Sequence, residues 1–328
     1  IILKKNLDKS LENFIRVNIK NFLPISTVES FYEIIQKTKM SGLPEKPKFI
    51  FTSNDFENNE ILKFYVALKT REENTKYIIG QHGNTYFTDL RSDKFRSEFN
   101  FSDKFLTWGY NTKEKFQSAF NFTSIGKKKY KACNKNKLLA IVSPLEFRMF
   151  PFNTISQTEK GFVNSIDIIN GLKKTIYENT VLRLHPSFKT RRGEYYLNKY
   201  FNNKNFNINF GEKPFSDARS SSKITFFNYD STGILENLVM NYPTVCMWED
   251  IYENINNNLS SKYKNLCDAK ILFFNKEDLI SHLNSVWENI DDWWFDRKTQ
   301  SSINEFNNNF NKQGNLFSIF KMKKQILN

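Results

Sequence analysis

Residues 224–247 read ITFFNYDSTGILENLVMNYPTVCM. Ile224–Phe227 is an apolar run of strand length, and Asn228-Tyr229-Asp230-Ser231 ends it with turn formers. Thr232–Met240 then places Ile234, Leu235, Leu238 and Val239 at helical spacing, and a second strand-sized run, Thr244–Met247, follows Pro243. Two strands joined through a helix run parallel, so this stretch reads as one unit of a parallel sheet.

The same alternation extends both ways. Upstream lie strand Leu138–Ser143, helix Val163–Tyr177, strand Thr180–Leu184, helix Gly193–Phe201, strand Asn205–Asn209 and helix Pro214–Arg219. Downstream come strand Lys270–Phe274 and helix Lys276–Asn289. The first half repeats the theme with strand Lys48–Thr52, helix Asn58–Thr70, strands Tyr77–Gly80 and Lys104–Trp108, and a fourth strand expected at Phe120–Ile125. Between the halves, Gly126-Lys-Lys-Lys-Tyr-Lys131 is polar and basic and reads as a linker. The pattern predicts an α/β protein of two domains: 1–127 with a helical lead-in, 128–290, and a helical tail, 291–328, packing back on both. The chain opens on Ile1 rather than Met, so an incomplete N-terminal region is expected.

The 328 residues carry 48 Lys and Arg against 35 Asp and Glu, a net charge of +13. Such an excess suits anionic substrates or an anionic membrane surface. Abundant Lys, Asn, Ile and Phe are also the usage of an A/T-rich coding sequence, so charge alone does not name a polyanion partner. No apolar run reaches the ~18 residues of a spanning helix. Cys133, Cys246 and Cys267 form no paired motif, which excludes a disulfide scaffold and a structural zinc site as readings.

In open parallel sheets, ligands bind beyond the carboxyl ends of the strands. Three such ends carry polar residues unlike core filler. At Ile79-Gly80-Gln81-His82-Gly83-Asn84 a strand runs into a glycine-flanked turn that displays His82, a candidate general base. At Val181-Leu182-Arg183-Leu184-His185-Pro186, proline stops the strand and sets His185 beside Arg183, with Lys189, Arg191 and Arg192 downstream, as a phosphate-binding corner. At Asp230-Ser231-Thr232-Gly233, a small-polar turn opens a helix whose free N–H groups and two hydroxyls suit an anion; Gly233 allows close approach and Glu236 could reach a ribose hydroxyl. Asn54 and Asp55 follow the first strand; Asp55 reads equally as an acid/base group or as a cap of the next helix. His282 reads as a packing or surface residue, and Trp293-Trp294-Phe295 as an anchor between domains.

The order of these motifs, over most of residues 45–290, resembles bacterial surface-polysaccharide glycosyltransferases of the GT-B type that use CMP-activated Kdo or sialic-acid-like nonulosonates. The resemblance implies two Rossmann-like domains facing a cleft, and metal-independent transfer with no cofactor beyond the CMP-sugar substrate. It implies a nucleotide held by Arg183, His185, Pro186, Ser231, Thr232, Gly233 and Glu236. Across the cleft, His82 or Asp55 would act on an acceptor lined by Gln81, Gly83, Asn84 and Asn54. The acceptor would be a glycan or a lipid-linked glycan, in the cytoplasm or peripherally at the inner face of the cytoplasmic membrane. A CDP-polyol phosphotransferase of the teichoic-acid type shares the glycine-flanked His, the His-Pro and the Ser-rich helix start. From another class, a non-catalytic nucleic-acid- or glycan-binding protein stays open; scattered basic residues and the lack of a binding motif count against nucleic acid.

Overall fold

The computed structural model describes residues 9–84, 86, 94–111, 115–131, 135–143, 155–201, 207–248 and 260–327. Two helices, α1 (Lys9–Asn18) and α2 (Phe31–Lys39), precede the first sheet. Its elements are β1 (Phe49–Thr52), α3 (Glu60–Glu72), β2 (Lys76–Gly80), α4 (Lys94–Phe101), β3 (Lys104–Thr107) and β4 (Phe116–Ser118). The four strands pair in chain order, all parallel.

The second half contains β5 (Leu138–Ile141), α5 (Ile155–Asn170), α6 (Lys174–Tyr177), β6 (Thr180–Arg183), α7 (Arg191–Phe201), β7 (Asn207–Asn209) and α8 (Phe215–Ser220). It continues with β8 (Ile224–Phe227), α9 (Thr232–Val239), β9 (Thr244–Met247), α10 (Ser260–Asp268), β10 (Leu272–Phe273) and α11 (Lys276–Val286). The tail forms α12 (Ile290–Trp294), α13 (Arg297–Phe310) and α14 (Leu316–Leu327). The second sheet is again all parallel, in the order β10-β9-β8-β5-β6-β7. From β5 the chain winds outward through β6 and β7, then returns to the other side of β5 for β8. Strand order therefore reverses between β5 and β8, which opens a crevice at their carboxyl ends.

Burial follows the two-residue period of the strands. In the second sheet Leu138, Ala140, Ile224 and Phe226 join the core under α5, α7 and α11, while Leu139, Ile141 and Phe227 face the core of α9, α10 and α13. In the first sheet Tyr77, Ile79 and Phe105 pack with Tyr65 of α3, and Ile78 and Leu106 face the opposite way onto Ile326 of α14. The last helix thus covers a face of the first sheet.

Two expected elements differ. The apolar run Phe120–Ile125 is not a strand: β4 lies earlier, and residues 122–124 form a 3-10 turn. Asn121 imposes it, its side chain accepting from the Thr123 N–H at 2.9 Å while its own N–H donates to the Lys312 carbonyl at 2.8 Å. The helix expected at Val163–Tyr177 starts at Ile155 and stops at Asn170. Gly171 sits where a Cβ would lie 2.7 Å from Ile280 Cδ1, and the Lys173 N–H donates to Asn284 Oδ1 at 2.8 Å, so packing on α11 interrupts the helix before α6.

Trp108, 1% exposed at the end of β3, belongs to the core of the second half. A Cβ on neighbouring Gly109 would lie 2.9 Å from the Asn309 carbonyl, and Tyr110 stacks on Phe310. The Trp293 and Trp294 indole N–H groups donate to the carbonyls of Ala269 and Asn241, so these tryptophans anchor the tail to the second half.

Candidate functional site

A cavity of about 330 Å³ lies at the strand-order reversal. Ile141 of β5, Arg183 of β6 and Phe227 of β8 form its floor, all at carboxyl ends. Small-molecule sites run from about 300 Å³ upward, so the space suits a mononucleotide-sized ligand.

His185 and Pro186 form one wall. His185 caps the short turn that Pro186 begins: its Nδ1 accepts the Ser187 N–H at 3.1 Å. An imidazole that accepts at Nδ1 carries its hydrogen at Nε2. His185 therefore presents Nε2–H from an exposed position on the cavity wall, oriented by its own backbone. Arg183 is held by Asn209 Oδ1 and the Lys213 carbonyl, both at 2.9 Å, which fixes its guanidinium beside the turn at Gly211. Gly211 has φ +79°, a conformation that costs a side-chain-bearing residue. Lys189 turns away and pairs with Glu212 at 3.4 Å.

The opposite wall is the start of α9. Ser231 is its N-cap, with Oγ accepting the Gly233 N–H at 3.2 Å, and its side chain also hydrogen-bonds Tyr229. Ser231, Gly233 and Glu236 all line the cavity. The Glu236 carboxylate lies 3.7 Å from Lys127 of the linker and 3.9 Å from Arg219. One turn on, fully buried Asn237 locks the helix: it accepts from Arg219 and donates to Thr225 and Thr244 on adjacent strands. The direction of α9, and of its free N–H groups, is set by that buried knot.

Thr232 differs from the expected phosphate ligand. Its Oγ1 accepts the backbone N–H of Asn84 at 3.3 Å, so its hydroxyl faces the first half of the chain. A Cβ on Gly83 would lie 2.9 Å from that oxygen, and the Asn84 side chain donates to Asp230 Oδ1. Asn84 and Gly83 thus join the two halves at the cleft. Gln81 is not an acceptor contact either: only 4% exposed, it donates to the Gly83 carbonyl and accepts the Trp108 N–H, both at 2.9 Å, and so shapes the turn.

His82, half-buried beside this junction, meets Tyr86, whose hydroxyl contacts Nδ1 and donates to Glu98 Oε1 at 3.1 Å. Burial, reinforced by Glu98, pushes the Tyr86 hydroxyl far above its ordinary range, so it keeps its one proton. With that proton on Glu98, the phenol is an acceptor toward the His82 ring, whose Nδ1 and Nε2 both lie in its reach, Nε2 at 3.3 Å. Ligand atoms of Glu57, His82 and Glu98 lie within 4.8 Å of one another, so these three are the described residues that could hold a cation. Asp55 is outside that group and does not cap α3; Asn59 does, accepting the Leu62 N–H at 3.0 Å. Asn54 and Asp55 are exposed in the preceding turn.

Sequence reasoning missed Glu57, Tyr86 and Glu98, which converge on His82 from separate elements, and Phe215 and Tyr229, which line the cavity. Tyr229 was legible as an aromatic in the β8 turn; Glu98 carried no local signal. Cys133, Glu249 and Asp250 lie outside the described residues.

Known structures share this architecture. S. aureus MnaA, solved with UDP, is 14% identical with a TM-score of 0.51, covering 93% of this chain and 81% of its own. Anabaena HepE, solved in complex with UDP-glucose, is 8% identical with a TM-score of 0.50, covering 98% and 89%. WaaG, a glycosyltransferase involved in lipopolysaccharide biosynthesis, is 12% identical with a TM-score of 0.42, covering 91% and 95%. The likenesses to MnaA and HepE show the fold: two parallel-sheet domains of the GT-B arrangement. No curated protein sequence matches the chain. A model of one family covers residues 2–326, nearly the whole sequence, and by it the chain belongs to the LIC12162 family of transferases.

Proposed function

We propose that the protein transfers a sugar from a nucleotide-activated donor to a glycan or lipid-linked acceptor, with the nucleotide phosphate held in the cavity between His185 and the start of α9. The observation that carries this reading is the pair of walls of one cavity: His185, its Nε2–H set by the Ser187 N–H, and the positive end of α9, capped by Ser231. Breaking an anomeric C–O bond to a phosphate develops negative charge on the leaving group, and pre-oriented donors stabilise it. Arg183 adds a formal charge, so transfer proceeds without a metal. Glu236, which lines the same cavity, would accept from a ribose hydroxyl.

Across the cleft, His82 Nε2 takes the acceptor hydroxyl's proton as the bond to the anomeric carbon forms. The Tyr86 hydroxyl, itself bonded to Glu98, contacts the His82 ring and supports this orientation. The motif order supports a CMP-linked ulosonic acid, Kdo or a sialic-acid-like sugar, as donor. UDP and UDP-glucose, bound by the similar MnaA and HepE, are the comparison donors. A lipid-linked acceptor would be met from a peripheral position at the inner face of the cytoplasmic membrane; no helix among the described residues is long and apolar enough to cross one.

The test is incubation with CMP-Kdo, CMP-sialic acid, UDP-glucose and CDP-glycerol, each with a glycan acceptor, followed by mass identification of the product. A glycosylated acceptor from a CMP-sugar supports the reading. A polyol-phosphate product from CDP-glycerol would replace it with polyol-phosphate transfer.

A further inference from the structure

We propose that the outer face of α14 is a docking surface for an anionic phospholipid bilayer. The helix is divided by its sequence, Leu316-Phe-Ser-Ile-Phe-Lys-Met-Lys-Lys324 and onward. Ile326 is 2% exposed and packs on Ile78 and Leu106 of the first sheet, with Met322 against the same cluster. That inner face holds the helix rigidly. On the outer face Leu316, Phe317 and Phe320 are 70%, 75% and 70% exposed. Three large apolar side chains side by side in water mark an interaction surface rather than scattered exposure.

Charge decides the occupant. Lys321, Lys323 and Lys324, all exposed, follow the apolar group by one turn, and the chain contains no Asp or Glu after Glu305. Apolar side chains beside a collar of lysines are the pattern of a helix lying in a bilayer interface, its rings among the acyl chains and its ammonium groups at the phosphates. A second copy of this face would set lysine against lysine. The other exposed apolar region, around α1 and α2, differs in that Glu12, Glu29 and Glu33 are interspersed among its basic residues, Arg16 pairing with Glu12 and Lys37 with Glu33. The inference deepens the peripheral position proposed above and rests on it, but vesicle binding and nucleotide binding are read separately, so either can fail alone.

The experiment is co-sedimentation of the full chain with phosphatidylcholine vesicles and with vesicles enriched in phosphatidylglycerol, beside Phe317→Ser/Phe320→Ser and Lys321→Gln/Lys323→Gln/Lys324→Gln variants. The changed residues are exposed, and an unaltered melting temperature confirms that the variants fold. The expected result is binding to phosphatidylglycerol vesicles, weakened on the order of fivefold per lysine removed and by the paired Phe changes. A Phe317→Trp chain should show a blue-shifted emission on those vesicles. No vesicle binding, binding that both variants leave unchanged, self-association abolished by the Phe changes, or binding of a single-stranded oligonucleotide in place of vesicles overturns it.

Discussion

The backbone N–H of Asn84, in the turn after β2, donates to Thr232 Oγ1 at the start of α9, 3.3 Å away, and so ties the first half of the chain to the wall of the cavity in the second. The hydroxyl oxygen that sequence alone assigns to phosphate meets this N–H across the cleft.

Thr232→Val should therefore leave CMP affinity nearly unchanged and lower turnover by a few fold, the effect of about 1 kcal/mol from a lost hydrogen bond. Gly83→Ala, whose Cβ would meet the same oxygen at 2.9 Å, should act in the same direction. Calorimetry with CMP beside a transfer assay separates this from a phosphate ligand, for which affinity would fall with Thr232→Val.

His185→Ala should weaken CMP binding roughly tenfold, since it removes a hydrogen bond to a charged group. His185→Gln should recover part of the loss, because an amide can donate from a similar position. The readout is calorimetric affinity; equal affinity in all three proteins would remove His185 from the phosphate site.

His82→Ala should reduce turnover by roughly 10²–10⁴, the usual contribution of a positioned base, with CMP affinity preserved. Tyr86→Phe should give a smaller loss, about fivefold, because the imidazole loses its acceptor while the ring remains. The Tyr86 hydroxyl stays protonated at all working pH values, held up by burial and by Glu98, so the acid limb of the rate profile should survive the Phe change and disappear with His82→Ala. A pH–rate profile of the three proteins checks this.

His282 predicts a pH dependence of stability separate from catalysis. Its ring lies between Phe273 and Trp293, and burial, helped by Lys270, pushes its pKa down to about 4 from the ordinary 6.5. Between those values the unfolded chain binds a proton that the native imidazole does not, so stability falls as pH drops from about 6.5 toward about 4. The loss is on the order of 2–3 kcal/mol. His282→Phe should flatten that part of the curve, as read from melting temperatures at pH 7 and pH 5.

Much of the architecture was readable because a strand and the helix after it announce themselves locally. Ile224–Phe227 has the apolar content of a buried strand, and Ser231 has the chemistry of a cap. Arg183, His185 and Ser231 were legible as site candidates since each stands at a strand end. The failures share a cause in distant contacts. Phe120–Ile125 has strand composition, but Asn121 bonds across 190 residues to Asn311 and bends it into a turn. Asp55 and Glu57 look alike in sequence, and only the packing of α4 decides which carboxylate joins His82 and Glu98. The direction of the Thr232 hydroxyl depends on where the other domain sits, which no spacing within residues 224–247 encodes.

The most direct measurement is a crystal of the protein soaked with CMP. The phosphate should lie within hydrogen-bond distance of His185 Nε2 and against the N-terminal end of α9, with Glu236 near the ribose. Nucleotide density elsewhere on the molecule, with the cavity between His185 and Ser231 filled only by solvent, would contradict the account.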